Sequence, residues 1–121
     1  MKHRKVYQSF ISAFEGVVFA FRSERNMGLH IVAAAVAIAA SFYFNVEKAE
    51  FLAILSAIFL VFMAEMFNTA VESAVDLNTK TFHPLARVAK NVAAGAVLFA
   101  ALYALLVAIL VFAGPVRDRL F

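Results

Sequence analysis

Three long apolar runs follow one another along the chain, at residues 29–44, 49–64 and 92–113. Few polar or small residues interrupt them, namely His30, Ser41, Glu50, Ser56 and Gly95. A helix needs about 20 mostly apolar residues to cross a bilayer, and no proline precedes His83 to break a longer helix. The pattern therefore predicts three transmembrane helices over residues 28–45, 49–76 and 86–113. We expect Gly114 and Pro115 to end the third.

The segment before these runs has a different pattern. Apolar residues recur there on one helical face, at positions Phe10, Phe14, Val17, Val18 and Phe21, and Gln8, Ser12, Glu15 and Arg22 occupy the other face. This spacing predicts an amphipathic helix over residues 5–25 that lies on the membrane surface. A signal peptide is the alternative, but Glu15 and Arg22 interrupt its apolar region and no small-residue cleavage site follows.

The composition decides the class of protein. Of the 121 residues, 64% are hydrophobic and 16% are charged, and the mean hydropathy is +0.87. A soluble domain is about 45–50% apolar, so we predict a single-domain, all-α integral membrane protein over residues 1–121. The absence of cysteine excludes disulfides and thiolate metal sites. The basic residues are scattered rather than interleaved with aromatic ones, so nucleic acid is not an expected partner.

The loops predict an orientation, because cytoplasmic loops carry an excess of lysine and arginine. Five such residues lie before the first apolar run and three lie in residues 76–91, whereas residues 45–50 contain only Lys48. The N-terminus and residues 76–91 are therefore expected in the cytoplasm. The C-terminus is then expected outside, where Arg117 and Arg119 do not follow the rule.

The candidate chemistry continues directly from the second apolar run. Glu65, Asn68, Glu72 and Asp76 fall within an arc of about 80° on one helix face. A carboxylate at membrane depth is costly and therefore indicates function. In the structural alternative, Glu72 and Asp76 lie in the aqueous interface and Glu65 pairs with a basic residue.

Closely spaced carboxylates suit Mg²⁺ and the substrate phosphates that it carries, and an unligated carboxylate can accept a hydroxyl proton. Lys90 and Arg87 can meet phosphate charge, and Glu24 can complete a metal site. No P-loop and no kinase-type glycine-rich loop occurs in the sequence. The three histidines (His3, His30 and His83) lack the spacing of a zinc site.

Three segments resemble the small prokaryotic diacylglycerol kinase family. Residues 64–72, Ala-Glu-Met-Phe-Asn-Thr-Ala-Val-Glu, closely resemble its E-x-x-N-T-A-x-E signature. Residues 83–90, His-Pro-Leu-Ala-Arg-Val-Ala-Lys, are similar to its second block, and residues 23–26 with His30 resemble the stretch before its first span. The E-R-N and H-P-L-A variants look most like the Gram-positive branch, whose members phosphorylate undecaprenol.

The resemblance implies a homotrimer in the bacterial cytoplasmic membrane, with active sites at the cytoplasmic interface between neighbouring subunits. It implies that Glu65 is the general base that takes the proton of the lipid hydroxyl. Glu24 and Glu72 would hold Mg²⁺ bridging the phosphates of ATP. Asn68 and Asp76 would position the substrates. The nucleotide-binding residues implied by the resemblance are Lys90, Asn91, His83, Arg87, Glu24 and Glu72.

One residue departs from the family pattern. Asn91 stands where the family has aspartate, directly after Lys90. Because of Asn91, a weak or silent trimeric membrane scaffold is one alternative to an undecaprenol kinase; a diacylglycerol kinase that makes phosphatidic acid is the other. Asn91 also has a structural interpretation, in which it caps or hydrates the start of the third transmembrane helix.

Overall fold

A computed structural model describes residues 5–121 of the chain. Lys2 and Arg4, which contribute to the predicted orientation, and His3 lie outside the described residues. Four α-helices follow one another: α1 (Val6–Ser23), α2 (Met27–Tyr43), α3 (Lys48–Asn78) and α4 (Pro84–Leu120). The all-helical fold class is confirmed.

Within residues 5–121, α3 and α4 are each long and apolar enough to cross a membrane. Helices α1 and α2 meet at a bend of 102°, and the pair would supply a third span if counted together. These apolar helices indicate a membrane protein, as the composition predicts. The assignment of α1 to the surface and of α2 to the bilayer stays a prediction.

The core lies between α3 and α4, which make the most extensive contact of any two helices. Ile54 and Ala57 of α3 pack there against Val107 and Val111 of α4. Many large apolar side chains point outward instead, among them Phe59, Phe99 and Leu110. Such extensive apolar exposure is expected of helices that meet lipid or other chains rather than water.

Polar side chains at the N-termini of α3 and α4 form hydrogen bonds that help to fix where these helices begin. In the first turn of α3, Glu50 Oε1 accepts a hydrogen bond of 3.2 Å from the backbone N–H of Glu47. Before α4, His83 Nδ1 accepts one of 3.1 Å from the backbone N–H of Leu85. Pro84 is the first residue of α4, a position that needs no N–H donor. Asn45 takes a positive φ of 53° in the turn before α3, which asparagine tolerates better than most residues.

The prediction that Gly114 and Pro115 end the third transmembrane helix is wrong, because α4 continues through both residues to Leu120. A proline inside a helix removes a hydrogen bond and costs about 3 kcal/mol. Contacts made by the following turn offset part of this cost. Arg119 donates from Nη1 to the Tyr43 carbonyl over 3.1 Å, and its guanidinium lies 5.5 Å from the centre of the Tyr43 ring.

Helix α1 packs against α3 through its C-terminal half. Ala20 is buried, and the rings of Phe21 and Phe62 lie 5.1 Å apart. Phe10 and Phe14, nearer the start of α1, remain exposed. This packing brings Glu24, the residue after α1, against the polar face of α3.

Candidate active site

The polar stripe predicted on α3 runs from the interior of the chain to its surface. Glu65 is 2% exposed and Asn68 is 7% exposed, whereas Glu72 and Asp76 are exposed. At 1.5 Å per residue, the stripe is about 16 Å long. A buried carboxylate at one end and accessible carboxylates at the other offer two different chemical environments on one helix face.

Glu65 has a partner on α2. Its Oε1 lies 2.8 Å from Nε2 of His30, a residue 35 positions earlier in the chain. An ionised carboxylate has no hydrogen to donate, so His30 is the donor when Glu65 is charged. Within residues 5–121, the hydrogen bond of the Glu65 carboxylate is made by Oε1, and Oε2 has none.

The next turn of α3 connects to Glu24. Thr69 donates from Oγ1 to Glu24 Oε1 in a short hydrogen bond and also lies 3.0 Å from the carbonyl of Glu65. Beside it, Asn68 donates from Nδ2 to Glu72 Oε1 over 2.9 Å. Glu24 and Glu72 are therefore held by two adjacent residues of α3.

The outer end of the stripe reaches α4. Asp76 Oδ1 lies 2.7 Å from Lys90 Nζ, in an ion pair that joins α3 to the second turn of α4. A pocket of about 330 Å³ opens beside this pair. The predicted site residues that line it are Asp76, His83, Arg87, Lys90 and Asn91. Glu24, Glu65 and Glu72 do not line this pocket, so the predicted site residues form two neighbouring groups.

Of two polar residues in the pocket, His83 has a further structural role and Asn91 does not cap the helix. His83 caps α4 through Nδ1, so only its Nε2 can contact a ligand. Asn91 is exposed in the second turn of α4, seven residues after the helix begins. The interpretation of Asn91 as a cap is therefore wrong, because His83 occupies the cap position.

The side-chain oxygen atoms around Glu24 and Glu72 are of the kind that Mg²⁺ prefers as ligands. Mg²⁺ in phosphoryl-transfer sites takes one or two protein carboxylates and completes its shell with water and phosphate. Glu24 and Glu72 supply two such carboxylates, and the buried Asn68 Oδ1 beside them has no hydrogen-bond partner. Among the described residues no group of three or more metal-ligating side chains occurs. A cation here would complete its shell with water and with oxygen atoms from a substrate.

Sequence reasoning missed two members of this site. His30 is an interruption of the first apolar run, and Thr69 lies inside the quoted motif, but neither was predicted as a site residue. The signal for His30 was its polarity within an apolar segment. Its partner was not apparent because the two side chains meet only when α2 packs on α3.

Comparisons with known proteins give consistent matches. The family described as prokaryotic diacylglycerol kinase matches residues 11–112. The chain is 36% identical to the undecaprenol kinase of Bacillus subtilis (strain 168) over 89% of this chain and 88% of that protein. It is 39% identical to a diacylglycerol kinase of Synechocystis, covering 82% of this chain but 57% of that protein. It is 25% identical to a diacylglycerol kinase of Helicobacter pylori, over 83% and 78% respectively.

Proposed function

Since the chain belongs to the prokaryotic diacylglycerol kinase family and is a lipid kinase, we propose that it phosphorylates undecaprenol with ATP and Mg²⁺. The observation that carries this proposal is the α3 stripe. It connects the buried carboxylate of Glu65 to the pocket lined by Lys90 and Arg87, which we call the cationic pocket. Phosphoryl transfer needs little covalent chemistry from the protein, and needs mainly positioning and charge neutralisation. The stripe and the pocket together offer both.

The share of each relative's length that aligns with this chain favours undecaprenol over diacylglycerol as the substrate. The match to the undecaprenol kinase covers 88% of that protein, whereas the Synechocystis diacylglycerol kinase is matched over 57% of its length. The E-R-N and H-P-L-A variants of the motifs point in the same direction. Diacylglycerol is the second candidate, because two relatives carry that name.

In the proposed reaction, Glu65 acts as the general base. The hydroxyl of the lipid gives its proton to Oε2 of Glu65 as its oxygen forms a bond to the terminal phosphorus of ATP. The bond from that phosphorus to the bridging oxygen breaks, and ADP leaves with the electron pair. Glu65 then releases the proton to water.

Glu24 and Glu72 would hold the magnesium ion, with Asn68 fixing Glu72 through the hydrogen bond of 2.9 Å. A magnesium ion at this position supplies neutralisation of phosphate charge. Lys90 would meet the phosphates, and Asp76 would orient its ammonium group. His83, Arg87 and Asn91 would contact the rest of the nucleotide from the same pocket.

The proposed assembly is a homotrimer in the bacterial cytoplasmic membrane, with the N-terminus and the active site on the cytoplasmic side. The bend of 102° between α1 and α2 supports one part of this arrangement, the surface position of α1. If α2 crosses the bilayer, a helix at nearly a right angle to it lies along the membrane surface. Active sites between neighbouring subunits fit the open pocket beside Lys90.

A transfer assay with radiolabelled ATP tests the proposed function. We expect the purified protein in mixed micelles to label undecaprenol several-fold faster than diacylglycerol at equal mole fractions. Faster labelling of diacylglycerol would replace the proposed substrate with the second candidate. Failure to label either lipid would favour the silent scaffold, which the family match does not support.

The metal assignment leads to a separate prediction. We expect Glu72→Gln and Glu24→Gln each to raise the Mg²⁺ concentration needed for half-maximal activity several-fold, because an amide is a weaker ligand than a carboxylate for a hard cation. A magnesium titration of the transfer rate measures this shift. Glu15→Gln, on the exposed part of α1, is the matched control and should leave the titration unchanged. Titrations of both site variants that overlay the parent's would remove these two residues from the metal site.

A further inference from the structure

The carboxylate of Glu65 is buried in largely apolar surroundings. Its side chain is 3% exposed, and that of His30 is 17% exposed. His30 also lines an apolar cavity of about 410 Å³ between α2, α3 and α4. Ala33, Val61 and Phe62 are among the other residues that line this cavity. A buried charge without a hydrogen-bond partner is strongly unfavourable. The buried carboxylate of Glu65 therefore needs a hydrogen-bond donor.

His30 is that donor. Among the described residues, no other side chain donates to the Glu65 carboxylate. The hydroxyl of Thr69 is close to the backbone carbonyl of Glu65 and bonds to Glu24 instead. His30 is also the side chain of α2 that makes a polar contact with this end of the stripe. The orientation of the buried carboxylate therefore depends on one contact between two helices.

We propose that His30 is a positioning residue of the phosphoryl-transfer site, acting by donating its Nε2 proton to Oε1 of Glu65. This hydrogen bond fixes the carboxylate plane and leaves Oε2 as the oxygen that accepts the lipid hydroxyl proton. The proposal rests on the proposed role of Glu65 as the base.

The protonation of the ring limits what His30 can do. When Nε2 carries the hydrogen that it donates to Glu65, it has no lone pair to accept a second proton. The ring nitrogen that faces Glu65 therefore does not take the proton of the lipid hydroxyl. His30 acts through Glu65, because it donates to Oε1 both before and after the proton reaches Oε2.

Substitutions at His30 separate positioning from packing. Leucine is apolar, has a comparable volume and lacks a donor, whereas the amide of glutamine can donate to the same oxygen. A hydrogen bond to a charged group corresponds to about 10- to 100-fold in rate if its full contribution is lost. We expect His30→Leu to lower kcat by about tenfold or more, with KM for ATP within about twofold of the parent. We expect His30→Gln to retain kcat within a few-fold.

Ser41→Ala is the matched control. It removes a buried donor from the other end of α2, where the Ser41 hydroxyl bonds to the carbonyl of Ala37 over 2.8 Å. Its kcat should equal that of the parent. The thermal unfolding midpoint in detergent is measured for every variant, so that loss of folded protein is not read as loss of kcat.

Two outcomes overturn the proposal. His30→Leu with parental kcat would show that the hydrogen bond is not needed, and equal losses in the leucine and glutamine variants would indicate packing alone. Glu65→Gln is assayed in parallel. If it retains activity, the base assignment fails together with this inference. If it is inactive while His30→Leu is active, only the inference about His30 fails.

Discussion

Glu65→Gln is expected to lower the rate of lipid phosphorylation about 10²–10⁴-fold, the range typical of losing a general base. The substitution is nearly isosteric, which matters because Glu65 is 2% exposed. Its carboxamide can still bond to His30, so the side chain should keep its place while losing the ability to take a proton. ATP binding should be retained, because Glu65 does not line the cationic pocket.

The transfer assay and a nucleotide-binding titration measure these two effects separately. Glu50→Gln is the matched control, since it makes the same change near the other end of α3. Glu50 accepts a hydrogen bond from the Glu47 N–H, and an amide oxygen accepts it as well. We expect parental activity from this control. Turnover of Glu65→Gln within a few-fold of the parent would rule out Glu65 as the base.

Lys90→Met is expected to lower kcat/KM for ATP about 10- to 100-fold, because charge-assisted hydrogen bonds to phosphate are lost. Methionine keeps an unbranched apolar side chain and removes the ammonium group. Lys90 is held by Asp76 at 2.7 Å in the wall of the pocket. This ion pair is accessible to solvent, so its loss should affect stability little.

Initial rates across an ATP titration test this prediction. Lys80→Met removes the same charge from the loop before α4, outside the pocket lining, and should leave kcat/KM unchanged. Asp76→Asn retains the cation but releases its partner, so we expect a loss smaller than that of Lys90→Met. A kcat/KM for Lys90→Met within twofold of the parent would show that Lys90 does not bind the nucleotide.

The helical repeat of the sequence predicts one part of the site but not the contacts between helices. Glu65, Asn68, Glu72 and Asp76 share one face because the helical repeat alone places them there, and the structure has all four on α3. The pairing of Asp76 with Lys90 was not predictable in the same way, because it depends on how α4 packs on α3 after the turn. Asp76 contacts the Lys90 ammonium over 2.7 Å, and this ion pair does not involve Asn91.

The sequence by itself determined the four helices, the membrane character and the stripe of carboxylates, because apolar runs and helical spacing are local properties. Only the tertiary structure decided that His30 meets Glu65 across 35 residues, that Thr69 holds Glu24, and that α4 extends past Pro115. Each depends on contacts between helices distant in sequence. The buried hydrogen bonds, and the contact between Arg119 and Tyr43, stabilise the protein only after the helices that carry these residues have packed together.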